Sequence, residues 1–257
     1  PNTGDVDVQT LAGAIGTGTH GTGRTLGNLS TLLIGGRLVT GTGDVVEFSA
    51  DADPDRTRAV RVALGTCGIL TALRIRAVPA YRLRRREWCT HVDDALAHLD
   101  ALIDGHRNFD FYWYPRSDLA KLRTMDEPDT PAAAADIPYA TCVQDRTGWF
   151  DEVLARTREL RFDEMEYMLP LDAGPACFAE VLRRVKARWR RDGTWRVLYR
   201  TIAADDAFLS PCQGRESAVI SLHHNAGLPY DAYFADIEPM FRAYGGRPHW
   251  GKKHTLR

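Results

Sequence analysis

The sequence predicts an α+β protein in two parts, a β-rich half-domain over residues 1–80 and a helix-and-sheet domain over residues 81–257. Three observations predict it. Residues 1–80 are dense in Gly and Thr, with short β-type runs separated by turn signals. Beyond residue 80 the texture changes to longer stretches carrying apolar residues at helical spacing. Short apolar runs of strand type lie between those stretches, and no segment is repeated along the chain.

In chain order, LLIGGRLVTGTGDVVEF (32–48) reads as two strands around a Gly-containing turn, with alternating apolar positions on either side. DPDRTRAVRVALG (53–65) reads as a short helix closed by Gly65, and ILTALRIRAV (69–78) as a strand ended by Pro79. Val92, Leu96, Leu99 and Ile103 stand at helical spacing, with Gly105 where a C-terminal cap belongs. TMDEPDTPAAAADIP (124–138) is a loop by composition. Phe178, Val181, Leu182, Val185 and Trp189 form a second helical stripe, opened by Pro175 at a first-turn position. VLYRTIAA (197–204) and AVISLHH (218–224) read as strands. A third helix is expected over 230–244 with Phe234, Ile237, Phe241 and Tyr244 inward, although Pro239 opposes it.

Composition excludes several classes. Apolar residues make up 44% and charged residues 26%, as in ordinary globular proteins. A formal net charge of −1 gives no argument for a nucleic-acid partner or an acidic membrane surface. The runs RLRRRE (82–87) and RRVKARWRRD (183–192) read as solvated faces. The five cysteines are scattered and never spaced as C-x-x-C, which fits reduced thiols in a cytoplasm better than disulfides or a zinc site. No apolar run reaches the length of a membrane span, so a peripheral membrane association is the most the sequence allows. The chain opens at PNTGDVDVQT without Met and stops just after a dense motif, which reads as a piece of a longer protein.

The strongest local signal is LAGAIGTGTHGTG (11–23). It contains G-x-G-x-x-G at Gly16, Gly18 and Gly21, but the polar, Gly-interrupted TGRTLGNLS that follows is a poor helix, so the dinucleotide fingerprint fails on context. No G-K-[ST] follows either, which excludes a phosphate loop of that type. Gly, Thr and Ala at this density still let a backbone press against a flat or charged ligand and offer it N–H groups; a tight turn without ligand is the alternative.

AGAIGTGTHGTG together with LGTCGILTALRI (64–75) resembles the second half of the flavin-binding domain of the vanillyl-alcohol oxidase superfamily. YRTIAADDAFLSP (199–211) and GGRPHWGKKH (245–254) resemble the cap and catalytic region of its aldonolactone and alditol oxidase branch, with weaker matches at EMEYMLP (164–170) and FDFYWYP (109–115). The resemblance implies FAD as cofactor, a sugar lactone or a polyol as substrate, and O2 or another electron acceptor. It implies that the segment holding Gly13, Ala14, Thr17, Gly18, His20 and Gly21 runs along the cofactor, and that Gly68 and Ile69 touch it through their backbone. Gly4 matches a position over the flavin beside its C4a–N5 edge, where a residue without Cβ leaves room for O2. Asp5 matches a polar residue near the substrate. Arg200 matches the arginine of the catalytic strand, Lys252 the lysine of the HWGK motif, and His223 and Asn225 the strand completing the substrate pocket.

One departure puts the substrate in doubt. The family's catalytic strand reads Glu-x-Arg, whereas here it reads Leu198-Tyr199-Arg200, so the usual carboxylate partner for substrate hydroxyls is missing. The expected reaction is oxidation of an aldono-1,4-lactone at C2, with Arg200 and Lys252 stabilising charge and Lys252 or a neutral His223 receiving the hydroxyl proton. An alditol oxidase and a non-catalytic, flavin-free chain are the alternatives. No metal is expected. His223 and His224 are adjacent on a strand and point to opposite faces, which argues against a shared site with His249, His254, Asp205 or Asp206. His20 has both a structural and a functional reading, and Tyr112, Trp113 and Tyr114 read as core.

Overall fold

Period-two alternation decides this architecture. Along the strands beyond residue 80, apolar side chains alternate with charged ones, so each strand feeds an oily layer on one side and a charged layer on the other. The computed structural model describes residues 2–6, 8–154, 160–191 and 194–256. The first part runs α1 (Leu11–Thr17), β1 (Leu33–Val39), β2 (Val45–Ser49), α2 (Pro54–Val60) and β3 (Ile69–Ile75). Its strands form an antiparallel sheet of order β2–β1–β3, with β3 largely exposed and Ile69 72% exposed.

The second part runs β4 (Arg82–His91), α3 (Val92–Ala97), α4 (Leu99–Gly105), β5 (Asn108–Tyr114), β6 (Leu119–Asp126), α5 (Pro131–Ala134), β7 (Thr141–Trp149), α6 (Phe150–Leu154), β8 (Phe162–Pro170), α7 (Gly174–Arg184), β9 (Thr194–Ile202), β10 (Ser217–Asn225), α8 (Asp231–Ala243) and β11 (Arg247–Pro248). Its eight strands form one antiparallel sheet of order β11–β8–β10–β9–β5–β6–β4–β7. One face carries Tyr167, Tyr199, Ile220, Phe111 and Leu122, which pack with Phe178, Val181, Ile237 and Phe241 of α7 and α8 in a single core. Each such side chain stabilises the fold by about 1.5–3 kcal/mol on burial.

The opposite face is charged. His223 on β10 stands between Glu164 of β8 and Arg196 of β9, Ser221 between Glu166 and Leu198, and Arg200 faces Asp110 of β5. The Gly/Thr segment covers this face. Gly23 N–H donates to Thr201 O (2.9 Å), Asn108 Nδ2 donates to Thr22 O (2.6 Å), and the Thr22 hydroxyl donates to Phe109 O. The C-terminal segment closes the far edge, where His249 N–H and Lys253 N–H donate to the backbone carbonyls of Glu166 and Glu164, both at 2.9 Å.

The structure departs from expectation at four places, one of them the loop expected over 124–138, which holds the end of β6 and the short helix α5 capped by Thr130. The helix that starts at Asp53 ends at Val60, short of Gly65, because Val62 and Leu64 N–H groups leave it to bond Ile15 O and Gly16 O. Both residues take positive φ (54° and 53°) to reach them. The 92–105 stripe is two helices broken at His98, whose ring caps back on Asp94 O (2.9 Å) and stacks on Tyr139; Gly105 is the last helical residue and His106 the cap. RLRRRE is not a solvated face: it lies in β4, where Arg85 and Arg86 are buried. Arg85 pairs with Glu87 (2.6 Å), and Arg86 donates to the carbonyls of Ala132 and Ala135.

Helix–sheet packing sets a direct test. Gly174 begins α7 against Ala218 and Tyr199, with no room for a Cβ, whereas a Cβ on Gly105 meets nothing within 4 Å. Gly174→Ala is expected to cost about 1–3 kcal/mol in urea unfolding, and Gly105→Ala to leave stability unchanged or raise it by up to about 1 kcal/mol. Equal effects of the two would contradict this packing.

Candidate active site

A cavity of about 490 Å³ lies between the Gly/Thr segment and the charged face of the sheet. The segment is shaped locally. Thr10 caps α1 by accepting from Gly13 N–H (3.2 Å), and Gly18 ends it in the left-handed region (φ 71°). The chain then turns so that His20 enters the charged face, its Nδ1 2.8 Å from Gly21 O and its Nε2 3.1 Å from Glu166 Oε1. Both neighbours are acceptors and favour a second proton on the ring. Burial, with Arg200 beside it, outweighs them and lowers the His20 pKa.

Glu166 is the hub. It is fully buried and accepts from the Arg200 guanidinium, the Ser221 hydroxyl and, at 3.4 Å, the Lys252 ammonium. Burial alone would push its carboxyl up, but Arg200, Lys252 and His20 hold it well below the usual carboxylate range. Glu164, two residues away on the same face, pairs with Lys252 Nζ at 2.6 Å and lies 3.5 Å from His223 Nε2. Burial opposes its ionisation too, and the Lys252 ammonium beside it more than offsets that. Burial lowers His223 and His249 to about 3, so both rings are neutral.

Gly4, Asp5, Gly13, Thr17, His20, Arg200, His223 and Lys252 all line this cavity. Asp5 is held by Arg123 (2.7 Å), itself bidentate on buried Asp110, and by the Tyr112 hydroxyl (3.3 Å). Gly4 lies outside the left-handed region, and a Cβ there would meet only Thr19 Cγ2 at 3.4 Å and His20 O at 3.7 Å. The remaining residues fall elsewhere. Ala14 is buried in α1, Gly18 is the helix cap, and Gly21 is pressed against Asn2 and Thr3. Gly68 and Ile69 line a second depression of about 320 Å³ with Ala12, Gly16 and Gly65. Asn225 is outside the cavity: it is exposed at the end of β10 and lines another depression with Tyr114, Trp195 and Leu228.

Sequence reasoning missed three site residues. Leu198 does stand where a carboxylate was expected, but Glu164 and Glu166 supply carboxylates from β8 instead. Two glutamates at i and i+2 in the otherwise apolar run EMEYMLP were the available signal. Tyr112, read as core, lines the cavity, whereas Trp113 is core. Among the described residues one cluster brings three metal-type ligand atoms within 4.8 Å, namely His20, Glu166 and His249. Arg200 and Lys252 already neutralise Glu166 there and oppose a further cation.

The model of the D-arabinono-1,4-lactone oxidase family matches residues 73–152 and 141–257. The chain belongs to this family. An L-gulono-1,4-lactone dehydrogenase of Mycobacterium tuberculosis is 32% identical over 291 residues, covering 98% of this chain and 66% of the relative. An L-gulonolactone oxidase of Scyliorhinus torazame is 26% identical, covering 99% and 67%. The chain thus spans about two thirds of the length of the curated relatives it matches. Among solved structures, cholesterol oxidase from B. sterolicum superposes with a TM-score of 0.78 at 15% identity, over 98% of this chain and 66% of that one. Glucooligosaccharide oxidase from Acremonium strictum gives 0.66 at 14% identity, over 90% and 56%. The fold of this family member is therefore the vanillyl-alcohol-oxidase type that the resemblance implied.

The buried histidines set a pH dependence. Above the ordinary histidine value of 6.5 neither the folded nor the unfolded chain protonates His223 or His249. As pH falls from 6.5 toward 3, the unfolded chain binds protons that the folded one refuses, so stability is lost, by about 1.4 kcal/mol per pH unit for each ring. Melting temperature is expected to fall steadily from pH 6.5 to 5, before the carboxylates titrate, and His223→Gln to flatten the slope. A flat wild-type profile would show that these rings are not held neutral.

Proposed function

We propose that this chain forms the substrate cavity and one wall of the cofactor site of an FAD-dependent oxidoreductase acting on a sugar-derived alcohol, foremost an aldono-1,4-lactone oxidised at C2. Residues 1–80 serve the cofactor and residues 81–257 the substrate. The observation that carries this reading is the convergence of Arg200, Lys252 and neutral His223 on one cavity roofed by a glycine-rich backbone, in a chain of the D-arabinono-1,4-lactone oxidase family.

The residues present fit FAD. Gly13 and Thr17 face the larger cavity, and Gly16 faces the depression that holds Gly68 and Ile69, so α1 separates two hollows. A Cβ on Gly16 or Gly65 would stand in open space, which leaves bare backbone toward a long, flat ligand. Gly4, Gly13, Thr17 and His20 on one side and Gly68 and Ile69 on the other are the residues assigned to hold it, while Ala14, Gly18 and Gly21 shape the backbone that carries them. When bound, FAD supplies the acceptor for the hydride. The chain's own residues do the rest. Lys252 is held as an ammonium between Glu164 and Glu166, so it acts as a fixed cation. His223 is held neutral and has a buried Nδ1 without a hydrogen-bond partner, so it accepts a hydrogen bond from the substrate hydroxyl and orients it. The open side of Gly4 is consistent with O2 as the electron acceptor.

Anaerobic mixing of the full-length protein with aldono-1,4-lactones is expected to bleach the flavin absorbance. Lys252→Met should slow that bleaching by about a hundredfold, on the order of 3 kcal/mol. Bleaching at an unchanged rate would remove Lys252 from the site, and a protein that no lactone bleaches would refute the proposed activity.

A further inference from the structure

Lys252 reaches the cavity from a stretch of chain, residues 249–255, that lies outside helices and strands. Up to Lys253 this stretch runs along β8, where His249 N–H donates to Glu166 O and Lys253 N–H to Glu164 O. Past Lys253 it leaves the strand. Its next anchor is Thr255, which donates its backbone N–H to Glu238 Oε1 and its hydroxyl to Glu238 Oε2, each at 2.8 Å.

Glu238 is buried on α8, in the helical layer, and does not line the cavity. Its other hydrogen bond comes from the Tyr167 hydroxyl, 2.5 Å from Oε1. Tyr167 is the neighbour of Glu166 on β8, turned to the apolar face. Burial pushes the Glu238 carboxyl up, and Tyr167 and Thr255 hold it below its ordinary value. Packing alone would favour an apolar side chain of similar size in its place. What the carboxylate adds is direction, because it binds a strand and a loop at one point. The strand carries Glu164 and Glu166, and the loop carries Lys252.

We propose that Glu238 is a positioning residue for Lys252. Through Tyr167 it fixes β8, and through Thr255 it fixes the chain three residues beyond the lysine, at most roughly 10 Å of extended backbone. The ammonium is thereby kept 2.6 Å from Glu164 and 3.4 Å from Glu166, where Lys252 lines the cavity. This rests on the reading of Lys252 as the fixed cation of the cavity. Displacing such a group by about 1 Å costs up to about a hundredfold in rate, so a carboxylate outside the cavity governs the rate inside it.

The test uses the full-length flavoprotein with L-gulono-1,4-lactone as the probe. Anaerobic bleaching, thermal melts and limited trypsin digestion are measured for Glu238→Ala, Glu238→Gln and Thr255→Val, each with Lys252 in place and with Lys252→Met. Glu238→Ala is expected to slow bleaching about tenfold and to speed cleavage after Lys253 about tenfold, as the loop opens. In the Lys252→Met background the same change should slow bleaching less than about twofold, because the two residues act as one unit. Glu238→Gln should bring both readouts to within about threefold of wild type, since its amide oxygen still accepts at Oε1 and its NH2 meets the Thr255 hydroxyl. Thr255→Val, at an exposed position, removes one bond and leaves Glu238 in place. It should slow bleaching about threefold, only when Lys252 is present, and it carries the test if Glu238→Ala does not fold. Equal slowing in both backgrounds shows a purely structural carboxylate, which overturns the inference and leaves the proposed function standing. Bleaching and cleavage at wild-type rates in Glu238→Ala and Thr255→Val do the same. A wild-type protein that the lactone does not bleach, or bleaching untouched by Lys252→Met, overturns the proposed role of the cavity and this inference together.

Discussion

Everything at the site depends on one buried carboxylate. Glu166 has no contact with solvent, and its oxygens meet groups from four separate parts of the chain: Arg200 on β9, Ser221 on β10, His20 from the Gly/Thr segment and Lys252 from the C-terminal segment. Burying an ionised carboxylate costs several kcal/mol, which only close charge and hydrogen bonds offset. Three of those groups, His20, Arg200 and Lys252, also line the cavity. The same contacts that make Glu166 tolerable therefore hold the two site cations and bring the glycine-rich roof down onto the sheet.

The sheet makes this possible because each strand does two jobs. Tyr167 and Met165 enter the core while Glu164 and Glu166 between and beside them enter the charged face, and Tyr199 and Arg200 divide in the same way on β9. The helical layer anchors the strands through apolar burial, so the charged layer is free to be arranged for binding. That arrangement keeps His223 neutral through burial and pairs Lys252 with Glu164, which sets a neutral ring and a cation side by side in one cavity.

Local periodicity carried most of the fold. The β1–β2 hairpin, α7 opened by Pro175, and α8 running through Pro239 stand where the pattern placed them. The failures share a cause, which is tertiary partners that a local pattern does not contain. Val62 and Leu64 leave the helix for carbonyls of α1, and Arg85 and Arg86 are buried because Glu87 and distant carbonyls receive them. At the site, the motifs GTHGTG and HWGK led to His20 and Lys252. The cavity's carboxylates stand on β8 and not at position 198, and only the pairing of β8 with β10 beside β9 reveals it. Asn225 went astray because β10 ends just beyond His223, and the strand's tip leaves the cavity.

The central claim is that the Glu166–Arg200 contact organises the site rather than decorating it. A double-mutant cycle measures this most directly, using Glu166→Gln, Arg200→Gln and the double variant in urea unfolding of the full-length protein. A coupling energy of about 2–3 kcal/mol is expected, as for a close pair in one buried network. A coupling below about 0.5 kcal/mol would show two independent side chains and contradict the account.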